Sequence, residues 1–142
     1  MKRRTLLKSL PAAALLPALL RDAAAQDNAG SSVVYELRVY HAAPGKLADL
    51  LARFRDHTVK IFDRHGMKSV AYWTPTDEPD KSNTLIYILR HPSRDAAAAN
   101  WKSFQDDPEW KSVRDKSEEN GKLVEKVDST YMAMTDFSPA LR

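Results

Sequence analysis

The 142-residue sequence contains no cysteine, so no disulfide framework holds it and its stability must come from an apolar core. That absence fits either a reducing or an oxidising compartment. It also removes every thiolate metal site, and no H-E-x-x-H pattern replaces one. With only 4 glycines and 43% hydrophobic residues, the chain is neither collagen-like, low-complexity nor wholly disordered. It has no G-x-x-x-x-G-K-S/T, no G-x-G-x-x-G and no G-x-S-x-G, which removes the sequence support for nucleotide binding and serine-hydrolase chemistry. Long apolar runs are missing too. The stretch 10–20 is broken by Pro11 and Pro17, too short for the roughly 20 residues of a spanning helix. The net charge of +3 is local. Residues 1–26 hold Lys2, Arg3, Arg4, Lys8 and Arg21 against Asp22 alone, and the rest balances 17 basic against 18 acidic residues. No basic stripe for nucleic acid remains.

What is present at the start is an address. A charged head (Lys2, Arg3, Arg4), a short apolar stretch and the small residues Ala23, Ala24 and Ala25 have the layout of a cleavable signal peptide. Arg3-Arg4-Thr5-Leu6-Leu7-Lys8 resembles the twin-arginine export signal, with Leu6 where an aromatic is more usual. Residues 1–25 are therefore expected to be removed, residues 26–32 to form a short polar tail, and residues 33–139 to be the domain. The resemblance implies export in the folded state to the periplasm or beyond, with no stable membrane anchor after cleavage.

Residues 33–40 alternate, with Tyr35, Leu37 and Val39 opposite Glu36, Arg38 and Tyr40, as a strand requires. From Lys46 the period becomes helical. Leu47, Leu50, Leu51, Phe54, Thr58, Ile61, Phe62 and His65 form one stripe, closed by Gly66. This predicts one helix of about 20 residues, roughly 30 Å long. Residues 67–74 read as a strand and 75–83 as a loop. Residues 84–90 read as a central strand covered on both faces, since Leu85, Tyr87 and Leu89 alternate with Ile86 and Ile88. Pro92-Ser93 caps a helix through Phe104, and Asp107-Pro108 starts another that ends at Asn120-Gly121. Residues 123–135 form a last extended run. The order β-α-β-β-α-β is the ferredoxin-like α+β arrangement, a four-stranded antiparallel sheet with helices on one face. The other face is expected to present Tyr40, Val70, Tyr72, Ile86, Ile88, Met132 and Met134. So much apolar surface calls for a cover, and a second copy across a twofold axis is the natural one.

These residues also carry a family likeness. The run 34–40 (Val-Tyr-Glu-Leu-Arg-Val-Tyr), Pro44-Gly45-Lys46, His57-Thr58, and Phe62 through His65-Gly66-Met67 resemble the NIPSNAP family. So do Tyr72-Trp73, Trp101-x-x-Phe104, the run 107–111 (Asp-Pro-Glu-Trp-Lys) and Asp136-Phe137-Ser138-Pro139. The likeness covers roughly residues 33–139. It implies a homodimeric α+β barrel and no particular reaction, since the family brings no agreed catalytic residues.

The ligand-binding candidates are Glu36, Arg38, Tyr40, Tyr72 and His57. If the face bearing Glu36, Arg38 and Tyr40 lines a lumen between two sheets, Arg38 holds an anionic group there and Glu36 orients it. The competing reading makes Glu36 and Arg38 a structural ion pair that satisfies itself. His57 and Tyr40 are the candidates for proton chemistry. His65 reads equally well as a cap on the last helical carbonyls, His91 as a loop residue, and Trp73, Trp101 and Trp110 as core. No metal and no cofactor is expected. Three readings follow: an exported homodimer binding a small, partly apolar molecule; a cofactor-independent enzyme of the monooxygenase or isomerase type; and a non-catalytic interaction module. The sequence does not decide among them.

Overall fold

The structure, a computed structural model, describes residues 33–141. The export signal expected at 1–25 and the tail at 26–32 lie outside the described residues. Alternation becomes strand and the helical stripe becomes helix in the expected order. β1 is Val34–Ala42, β2 Lys68–Trp73, β3 Thr84–His91 and β4 Val124–Met132, with α2 at Arg94–Asp106 and α3 at Pro108–Ser117. The first helix, α1, is not regular. It runs as Leu47–Arg53, widens into a π-helical turn at Phe54–Thr58, and resumes as Val59–Arg64. The four strands form one antiparallel sheet in the order β2-β3-β1-β4. The fold is thus α+β and ferredoxin-like. No helix among the described residues is long and apolar enough to cross a membrane.

Local chemistry sets the helix ends. The Ser93 hydroxyl accepts the Ala96 N–H at 3.0 Å, and Asp107 Oδ1 accepts the Glu109 and Trp110 N–H groups ahead of α3. Gly66 stops α1 with φ +74°, where a side chain is strained, and a Cβ there would sit 3.2 Å from Asn100 Nδ2. Gly66→Ala is expected to cost about 1–2 kcal/mol, the penalty of the left-handed conformation. A urea midpoint that stays at the wild-type value would show that the turn is less constrained than this geometry requires.

The helical layer covers one sheet face. Leu50, Phe54, Ile61 and Phe62 of α1 and Phe104 of α2 bury against Leu85, Tyr87 and Leu89 of β3. Of the tryptophans, Trp101 and Trp110 pack on this core. Trp73 does not; it is 47% exposed on the opposite face.

The most consequential correction concerns which row of β1 faces the helices. Arg38 pairs with Tyr87, Tyr40 with Leu85, and Tyr72 with Tyr87. Paired residues share a face, so Glu36, Arg38, Tyr40 and Tyr72 lie under the helices and not on the open side. The open face carries Tyr35, Leu37, Val39, Ile86, Ile88 and Met132 instead. On its β2–β4 diagonal, Val70, Trp73 and Ile88 with Met132 and Met134 wall a groove of about 510 Å³.

Candidate functional site

A carboxylate at the centre of the sheet–helix layer organises the site. Glu36 is 1% exposed, and each of its oxygens takes two donors. Oε1 accepts Arg38 Nη1 at 2.7 Å and the Ser129 hydroxyl at 2.8 Å; Oε2 accepts Trp101 Nε1 at 2.7 Å and His91 Nε2 at 3.0 Å. The donors come from β1, β3, α2 and β4. Burial alone would push the Glu36 carboxyl up, but the donors, His91 and Trp101 foremost, outweigh it and hold the group at about 2.

His91 is the residue that the sequence reading missed. It is the last residue of β3, 0% exposed, and continues the inward row Leu85, Tyr87, Leu89 by one more step of two. Counting that period past Arg90 places it in the layer. With Nε2–H given to Glu36, its Nδ1 is buried and makes no hydrogen bond among the described residues.

An aromatic cluster adjoins this centre. The Arg38 guanidinium lies 4.3 Å from the Trp101 ring centroid and reaches the Tyr40 hydroxyl at 3.3 Å. Tyr87 stacks on Tyr72 at 5.4 Å and meets Tyr40 at 5.3 Å. Burial pushes the Tyr72 and Tyr87 phenols up, so both remain protonated at neutral pH. The Tyr72 hydroxyl pairs with that of Ser69 at 2.6 Å, whereas the buried Tyr87 hydroxyl and Arg38 Nε have no hydrogen-bond partner among the described residues. Arg38, Tyr40, Tyr72 and Trp101 are only half-buried, so the cluster meets solvent along their edge.

The structure therefore brings four of the five expected ligand residues together, on the other side of the sheet from the one expected. His57 is not among them. It is exposed on the π turn and faces a separate cleft against α3. His65 is the C-cap residue of α1, but its ring reaches across to other helices rather than back to the last carbonyls. Nδ1 meets the Ser103 hydroxyl at 2.7 Å and Nε2 meets Asp107 Oδ2 at 2.6 Å. Asp107 also receives Arg64 Nη2 at 2.7 Å and caps α3. Arg64 and then His65 hold its carboxyl well below the usual range. The Ser–His–Asp order is thus a clasp joining three helix ends. No cluster of three potential metal ligands occurs among the described residues.

Comparison with known proteins fits this geometry. The NIPSNAP family model matches residues 35–139. An uncharacterised NIPSNAP-like domain protein from Burkholderia xenovorans is 17% identical with a TM-score of 0.67, over 79% of this chain and 93% of that one. A NIPSNAP family protein of unknown function from Agrobacterium tumefaciens is 25% identical with a TM-score of 0.66, over 80% and 96%. SnoaB from Streptomyces nogalater, a cofactor-independent oxygenase, is 15% identical with a TM-score of 0.49, over 76% and 98%. No curated protein matches the chain.

Proposed function

The chain belongs to the NIPSNAP family, and from that premise we propose that it is an exported homodimer binding a small, partly apolar molecule between sheet and helices. One observation carries the ligand reading: the buried Tyr87 hydroxyl and Arg38 Nε, both without a hydrogen-bond partner among the described residues, beside the half-buried Tyr40 and Tyr72. Leaving buried polar groups unmade costs about 1–3 kcal/mol each. A ligand with an acceptor group meeting Arg38 and Tyr87, and an apolar body against the rings, removes that cost. Dimerisation is supported by the open face, whose Leu37, Val39, Ile86 and Ile88 stay only half-buried among the described residues. Export is supported by the Arg3-Arg4 leader pattern alone.

Thermal-shift screening of the processed protein against aromatic and aliphatic acids, phenols and quinones tests the ligand reading. A ligand at 100 times its dissociation constant adds about 2.7 kcal/mol, and Arg38→Met is expected to erase the gain. A flat response across the panel, or a gain untouched by that substitution, counts against it. Light scattering tests the dimer separately; a well-behaved monomer at micromolar concentration refutes it.

A second reading, a cofactor-independent enzyme, rests on His91. Its Nε2–H is fixed by Glu36 and its Nδ1 has no hydrogen-bond partner among the described residues, the arrangement of an oriented proton acceptor. In that reading His91 takes the place held by His57 in the sequence expectation, and Tyr40 stands further along β1, linked to Glu36 through Arg38.

A further inference from the structure

We propose that the cleft between the π turn of α1 and α3 is a second ligand site, distinct from the Arg38 cluster under the helices, that takes the carboxylate of a small organic acid. The cleft holds about 350 Å³, the scale of a small-molecule site. Its floor is Arg53, a cation only 6% exposed. Arg53 Nη1 serves both the Ser117 hydroxyl at 3.1 Å and Glu118 Oε1 at 3.2 Å, and the guanidinium lies 5.1 Å from the Trp110 ring centroid. Its Nε is buried and bonded to nothing among the described residues. A buried guanidinium carries five N–H donors, and a single carboxylate touching one nitrogen leaves most of the fork unmatched.

The rest of the cleft is polar on two sides. His57 and Asp56 come from the π turn, and Ser112 and Lys116 from α3. The π turn is genuine: the Val59 N–H bonds the Phe54 carbonyl five residues back, and the Thr58 hydroxyl donates to the Arg53 carbonyl at 3.2 Å. Such turns break helical regularity and recur at functional sites. Here the turn lies directly after the buried cation and carries two cleft residues. The occupant follows from charge and surface. Arg53 and Lys116 balance Asp56 and the bound Glu118 to a formal charge of zero, so repulsion from the two carboxylates weighs twice as heavily on a dianion as on a singly charged acid. Ala52 and Val113 provide apolar wall for a short hydrocarbon body. A monocarboxylate with such a body fits; a phosphate dianion does not.

Titrating the full chain with benzoate, followed by amide ¹H–¹⁵N spectra, tests the proposal, with inorganic phosphate as the comparison anion. Saturable shifts confined to residues 52–58 and 112–117 are expected with benzoate and not with phosphate. Lys116→Glu, at a surface position, is expected to weaken benzoate about tenfold, roughly 1.4 kcal/mol. Arg53→Gln is expected to abolish binding, and its amide spectrum reports whether it folds. Shifts scattered over surface lysines, no saturation, unchanged affinity in Lys116→Glu, or equal binding of phosphate would each overturn the site. Shifts centred on Arg38 and Tyr72 would overturn it as well, while leaving the proposed Arg38 site intact.

Discussion

Replacing Glu36 by alanine is expected to remove about 3–5 kcal/mol of folding stability, the largest loss of any single polar substitution in this domain. Urea unfolding followed by tryptophan fluorescence measures it, and the melting temperature is expected to fall by roughly 10–20 °C. The reason is the number of groups left behind. Arg38, whose side chain is 16% exposed, loses its carboxylate partner, and His91, Trp101 and Ser129 lose acceptors inside the core. The paired replacement Glu36→Leu with Arg38→Met removes acceptor and charge together and is expected to recover a substantial part of the loss. If the single and paired variants unfold at the same urea concentration, the penalty lies in lost packing and not in the stranded charge.

Acid is the second large lever. The Glu36 carboxyl lies at about 2 in the folded chain against an ordinary 4.5. A group lowered by folding adds stability that is fully present above its unfolded value and disappears as pH falls towards the folded one. The window is therefore pH 4.5 down to about 2, and the amount is about 3 kcal/mol. Asp107, also lowered, acts in the same direction. Stability measured from pH 6 to pH 2.5 is expected to fall steeply in the wild type. Glu36→Gln should show a lower plateau and a shallower descent. Parallel curves for the two proteins would remove Glu36 as the source.

Much of the architecture was legible because alternation and helical spacing report burial directly. Leu85, Tyr87 and Leu89 marked the inward row of β3, and Gly66 and Asp107-Pro108 marked helix ends. The facing of β1 was not legible. Its apolar row Tyr35, Leu37, Val39 is the natural candidate for the core, and its charged row the natural candidate for exposure. The structure inverts this because Ser129, His91 and Trp101, distant in sequence, supply the donors that let Glu36 be buried. No local pattern announces such an arrangement. The π turn escaped for another reason. One added residue leaves Leu50, Phe54, Thr58 and Ile61 all buried, so the stripe survives the change in pitch. His91 was within reach of the method, and the proline after it obscured the strand's last step.

The strand order leaves β2 and β4 at the rims of the sheet, each with a line of backbone amides and carbonyls unclaimed by a neighbouring strand among the described residues. Rims of this kind invite ribbon-like growth. Along β4 the side chains of Glu125, Lys126 and Asp128 are exposed, and a further chain laid beside them would have to accommodate charges of both signs in its own register. The molecule is thereby guarded against fibril-style stacking while its oily open face stays free to find one matching surface.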